Sequence, residues 1–195
     1  KRKLILLVFV AVFTLFLPVT TQAHPHIIDA AEKTEISPEA LLEDLRRTQV
    51  IFLGEFHDHV GHHRAQLTII DALDEDERPL AIGLEMFRKD SQETLDRWTA
   101  NDLPFLKFLS VYKDNWSMWE EYREIFMHAR NEEVKMLGLN IPRSITNKVL
   151  RNGFKALPEE ERQMLGNVQC VVTPAYSDYI RQAMGGYGGH GDQYL

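Results

Sequence analysis

Within the segment Gly54-Glu55-Phe56-His57-Asp58-His59, two carboxylates and two imidazoles stand close together in the chain. Glu85, with Met86 and Phe87, ends a second apolar run, and Asn140, Pro142 and Arg143 follow a third. Glutamate oxygen and histidine nitrogen are ligands for zinc or iron, and neighbouring carboxylates push each other's pKa values apart. Glu55, His57 and Glu85 therefore compose a candidate metal site with an open position. A metal-bound water would attack there while a glutamate moves the proton, which is the chemistry of a metal-dependent hydrolase. Each residue alone also has an architectural explanation: a hydrogen-bonded core histidine, a helix cap, or an ion pair between Glu55 and Arg143.

These residues share an edge only if the runs before them are parallel strands, because ligands of open α/β sheets lie beyond the carboxyl ends of the strands. Val50-Ile51-Phe52-Leu53, Leu80 to Leu84, Val134 to Leu139 and Val168 to Val172 have the short continuous apolar character of buried parallel strands. Helical stretches are expected from Ser37-Pro38 through Leu45, Gly61 to Leu73, Ser91 to Ala100, Trp116 to Arg130 and Ser144 to Leu157. Alternation of the two kinds predicts an α/β fold with a mainly parallel sheet flanked by helices. On the wheel of the helix after the first strand, His62 falls among Ala65, Gln66, Ile69 and Leu73 and is expected to face inward, with His63 on the flank. Trp119, Tyr122, Ile125, Phe126 and Ala129 share one side of the Trp116 to Arg130 helix and read as core. Tyr176 and Tyr179 follow the fourth strand at Pro174, either at the same sheet edge or as surface aromatics of a last helix.

Lys1-Arg2-Lys3, an apolar run from Leu4 to Leu17 and the small residues before Ala23 have the order of a secretory signal peptide, which assigns residues 1–23 to export. The apolar run is short of the ~20 residues of a membrane span. Residues 24–45 then form a leader and short helix, and residues 46–195 one α/β domain. No cysteine near residue 23 offers a lipid acceptor, so the expected location is periplasmic or extracellular. The single Cys170 excludes an intramolecular disulfide and is expected to pack. Removing residues 1–23 takes away three positive charges and leaves the rest more acidic than the formal −7 of the whole chain. That balance, with no basic cluster, excludes nucleic acid as a partner. The glycine-rich run 185–191 closes no element, so the domain is expected to be truncated at its C-terminus. Dinucleotide-binding, phosphate-loop and serine-elbow motifs are missing.

Taken together, Leu53-Gly54-Glu55-Phe56-His57-Asp58, His62-His63-Arg64-x-Gln66, Gly83-Leu84-Glu85-Met86-Phe87 and Leu139-Asn140-Ile141-Pro142-Arg143 resemble the ChaN-like haem-binding proteins of the Tiki superfamily. The resemblance implies an exported α/β protein that binds haem for iron uptake. It also implies that a homodimer with two haems stacked face to face is open to the chain, as is a membrane transport partner. It places His57, His62, His63, Arg143, Tyr176 and Tyr179 as candidates to hold the haem and its iron. The superfamily's peptidase- and esterase-like members use a Gly-x-x-His motif and two glutamates, which correspond here to Gly54, His57, Glu55 and Glu85 and imply a divalent transition metal instead of haem.

Overall fold

A computed structural model describes residues 26–75, 79–166 and 173–183. The signal peptide expected at residues 1–23, Cys170, the strand expected at Val168 to Val172 and the glycine-rich run 185–191 lie outside the described residues. The chain divides into two compact units, residues 1–51 and 52–195.

In the first unit, β1 (Ile27–Asp29) pairs antiparallel with β2 (Thr34–Ile36). Asp29 makes the turn, its carboxylate accepting from the backbone N–H groups of Ala31 and Glu32. Helix α1 (Pro38–Arg46) starts where Ser37 caps it, the hydroxyl accepting from Ala40 N–H, with proline in the first turn.

The second unit runs α2 (Val60–Asp74), β3 (Ala81–Arg88), α3 (Gln92–Thr99), α4 (Phe105–Asn115), α5 (Trp119–Asn131), β4 (Lys135–Asn140), α6 (Arg143–Asn152), α7 (Glu159–Met164) and α8 (Pro174–Ala183). The α/β class is as expected: β3 and β4 pair in parallel from Ala81↔Lys135 to Leu84↔Gly138, with three helices crossing between them. No helix among the described residues is long and apolar enough to cross a membrane.

The first expected strand does not form. Residues 50–56 carry no regular structure, Val50 and Phe52 are exposed, the latter by 93%, and among the described residues no strand takes their backbone. An apolar run becomes a strand only when a neighbour accepts its ladder of hydrogen bonds. β3 extends beyond the expected end at Leu84, so Glu85 sits within the strand, at the start of an irregularity that separates Leu84↔Gly138 from Arg88↔Asn140. Gly138 is required there, because a Cβ on it would lie 2.6 Å from the Arg88 carbonyl oxygen. Gly138→Ala is expected to lower stability by about 2 kcal/mol through overpacking, read from the urea midpoint.

Helix α4 lies outside the expected elements, although Phe105, Phe108, Leu109 and Tyr112 repeat at helical spacing. Its ring pairs build the core. Phe108 stacks on Trp98 with centroids 3.9 Å apart and packs on Phe87, Tyr112, Trp119 and Phe126. The Trp98 indole donates to the Phe126 carbonyl (2.9 Å), and the Arg130 guanidinium lies over the Trp98 ring. Gln92 ties α3 to β4, donating to the Met136 carbonyl and accepting from Gly138 N–H. The helix expected to reach Leu157 stops at Asn152, where Gly153 adopts φ +77°, a conformation that other residues resist.

Candidate functional site

The cluster centres on the Glu55 carboxylate, which the loop between Phe52 and His59 turns inward. Its side chain is only 11% exposed, and its hydrogen-bonding and charged neighbours come from the loop, α2 and α5. Tyr122 donates its hydroxyl proton to Oε1. His57 Nδ1 lies 3.0 Å from Oε1 and 3.1 Å from the Tyr122 oxygen. On the other side, Gln66 donates to Oε2 at 3.1 Å and to the Leu53 carbonyl at 3.4 Å, which holds the loop onto α2. His63 Nε2 stands 2.8 Å from Oε2, yet neither ring nitrogen has an in-line hydrogen bond, so this contact is electrostatic and His63 Nδ1 is a buried atom without a partner.

Burial by itself raises the Glu55 pKa, but the hydrogen bonds from Tyr122 and His57, the charge of His63 and the bond from Gln66 outweigh it and hold the carboxyl below its ordinary range. Burial, followed by the hydrogen bond to Glu55, pushes the Tyr122 hydroxyl in the opposite direction, so it stays a proton donor at neutral pH. The charge of Glu85 adds to this effect on Tyr122. Aromatic rings fix the imidazoles: Trp116 meets His57 edge-on at 5.0 Å and His63 lies tilted on Tyr122 at 4.4 Å.

The two α2 histidines exchange their expected roles. His63 is buried, at 4% exposure, and His62 is half-buried. The buried positions His63 and Ile70, with Leu67 against the core, define a face one residue round from the expected one. Leu67 and Ile70 pack α2 onto the core, and Glu55 accommodates the polar His63 that this rotation buries. His62 instead accepts the Phe56 N–H at its Nδ1 (2.9 Å) and stacks on His59, centroids 4.0 Å apart. His59 in turn caps α2, its side chain accepting from His62 N–H at 3.3 Å.

The remaining candidates stand apart from this cluster. Glu85 is exposed on β3. Arg143 is exposed at the start of α6 and donates to the Asp114 carbonyl at 3.2 Å, an acceptor it shares with Arg88. It makes no ion pair with Glu55. Tyr176 and Tyr179 are exposed on α8, and among the described residues no hydrogen bond or ring contact joins them to Glu55 or His57. No group of three or more His, Cys, Asp or Glu side chains among the described residues is arranged to hold a metal ion. A cleft of about 200 Å³, lined by Val60, His63, Arg64, Glu120, Glu121, Glu124 and Ile125, opens beside His63. It is smaller than the ~300–1,000 Å³ of ordinary ligand pockets.

Sequence reasoning places Tyr122 in the core and misses its hydroxyl. The signal is there, since a buried tyrosine almost always needs a partner for its O–H. Tyr122→Phe keeps the ring and removes the donor to a carboxylate, with an expected cost of about 2 kcal/mol in the urea midpoint. An unchanged midpoint would mean that Glu55 does not depend on this bond.

Residues 41–194 match the family model for haem-binding uptake proteins of the Tiki superfamily, ChaN. Among curated proteins, Protein RETICULATA-RELATED 5, chloroplastic, of Arabidopsis thaliana is 25% identical over 146 residues, a stretch covering 71% of this chain and 19% of that protein. Among solved structures, one of cofacial heme binding to ChaN of Campylobacter jejuni superposes with a TM-score of 0.65 at 23% identity, over 81% of this chain and 61% of that one, a likeness of fold. The chain therefore spans less than two thirds of the length of either relative.

Proposed function

Because the chain belongs to the ChaN family of haem-binding uptake proteins in the Tiki superfamily, we propose that it binds haem at the His57 face and serves haem or iron uptake. The observation that carries this placement is the His57 imidazole: 53% exposed, backed by Glu55 and Tyr122 and held edge-on by Trp116. Phe52, Phe56 and Val60, all strongly exposed, flank it in the chain and offer apolar contact to a macrocycle. Imidazole and phenol oxygen are both common axial ligands of haem iron, so the donor set fits the group. Bound haem would supply an iron centre, and His57 with the exposed Phe52, Phe56 and Val60 would hold the group.

A homodimer with stacked haems is part of this reading. The cleft beside His63 is too small to enclose a macrocycle, and a haem on an open face leaves its second side in water unless a second copy covers it. The cofacial arrangement of the ChaN structure from Campylobacter jejuni gives the precedent. Export rests on the signal-like order of residues 1–23, and delivery to a membrane transport partner follows from an uptake role.

Titrating ferric haem into the purified chain and following the Soret band tests the proposal. Saturation with a shifted band is expected, together with a rise in sedimenting mass as the dimer forms. Absence of both a shift and saturation at micromolar haem would sink it. The hydrolase reading has less support in the geometry: it needs Glu55 to bind a metal or carry a proton, and both Glu55 oxygens are already engaged by Tyr122, His57, Gln66 and His63.

A further inference from the structure

Helices α2 and α5 meet at a second place, away from Glu55. His128 lies in the last turn of α5, its side chain only 13% exposed, with one carboxylate at each ring nitrogen. Nδ1 is 3.6 Å from Asp71 Oδ1, and Nε2 is 3.5 Å from Asp74 Oδ2. Both aspartates belong to the last turn of α2, which contains no basic residue. Nε2 is closed to water and has no in-line hydrogen bond, so Asp74 is the group that faces it.

Negative charge gathers at this point. Contacts run in the same order along the two helices, His63 against Tyr122 and then Asp71 and Asp74 against His128, so the two C-terminal turns lie side by side. A helix C-terminus carries the negative end of its dipole, which opposes carboxylates and favours cations. Arg130, the other basic residue in the last turn of α5, is turned onto Trp98, Asn101 and the Leu103 carbonyl. Glu124 and Glu132 stand one turn either side of His128 on α5, and Glu75 follows Asp74; all three are exposed and outside ion-pair reach of the ring. Helices α3 and α4 meet α5 through the ring core, and their charged side chains are exposed, with Asp96 held by Gln92 and Arg97 by Asp102.

A neutral imidazole has one N–H and one lone pair, and here the lone pair would meet a carboxylate, whereas the imidazolium presents an N–H to each. We infer that His128, Asp71 and Asp74 form a pH-sensitive latch between α2 and α5, closed when His128 is protonated and slack when it is neutral. Its contribution to stability is present on the acid side of the range in which imidazoles titrate and is lost as pH rises through that range. The sign is opposite to that of a carboxyl held below its ordinary range, as Glu55 is. The latch lies about 9 Å along α5 from Tyr122 and beyond Gln66 on α2, so it sets the spacing of the two helices that hold the Glu55 carboxylate between them. It does not depend on the haem-binding reading.

Thermal unfolding of the full chain on either side of neutrality tests the latch. At about pH 5.5 wild type is expected to melt about 2–4 °C above His128→Gln, and at about pH 8.5 the gap is expected to fall below about 1 °C. The other histidines are common to both proteins, so the difference isolates His128. In an Asp71→Asn/Asp74→Asn background the same substitution is expected to make no pH-dependent difference. A gap of equal size at both pH values would mean that His128 only fills space and would overturn the inference, as would a pH-dependent gap that survives without the two aspartates. Asp71→Asn/Asp74→Asn with His128 in place gives a second reading should His128→Gln not fold. It is expected to melt below wild type at the acid pH and level with it or above it at the alkaline one, and a deficit at both overturns the latch.

Discussion

Phe108→Ala is expected to lower the unfolding free energy by about 3–5 kcal/mol, more than any other substitution proposed for this chain. Phe108 has no solvent exposure, and its ring is the shared neighbour of Phe87, Trp98, Tyr112, Trp119 and Phe126. Those residues lie on β3, α3, α4 and α5, so a void at Phe108 loosens four elements at once. Collapse into the void is resisted, because Trp98 is held at two points, by its bond to the Phe126 carbonyl and by Arg130 above its ring. Urea unfolding measures the loss, and a cost below about 1 kcal/mol would mean that these rings repack freely. The site senses the same cluster. Tyr122 stands one helical turn from Trp119 and Phe126 on α5, so the void is expected to disturb Tyr122 while leaving the loop that carries His57 chemically intact.

The parts of this fold legible in the sequence are those whose pattern is decided locally. Ala81 to Leu84 and Lys135 to Leu139 are apolar runs that meet each other as parallel strands, and α5 shows its core face in the spacing of Trp119, Tyr122, Ile125, Phe126 and Ala129. Val50 to Leu53 has the same character but no partner strand among the described residues, and pairing is a property of the neighbour. On α2, Ala65, Ile69 and Leu73 draw the wheel towards His62, whereas Leu67 and Ile70 pack against the core and His63 is buried in its place. A one-residue rotation of this kind is invisible without the carboxylate that makes a buried imidazole tolerable. Glu55 and His57 are readable as residues able to do chemistry. Their relation to Tyr122, some 65 residues away, is not, because it depends on how α5 crosses α2. Arg143 and Glu85 follow from the strand-end rule, and the sheet irregularity after Leu84 keeps Glu85 within β3.

Glu55→Ala is expected to cost about 3 kcal/mol, because it leaves the Tyr122 hydroxyl, the Gln66 amide and the His63 imidazole beside a cavity with no acceptor. For a chain of this length that corresponds to a fall in melting temperature of roughly 6–12 °C. Glu55→Gln separates charge from shape. The folded protein holds the Glu55 carboxyl below its ordinary pKa, so its contribution is fully present above the unfolded value of about 4.3 and is lost as pH falls through the lower folded value. Wild type is therefore expected to lose stability more steeply than Glu55→Gln as the pH is taken from 7 to below 4, with the two curves converging at the acid end. Urea midpoints measured across that range decide it, and parallel curves would mean that the carboxylate is not the charge that the cluster is built around.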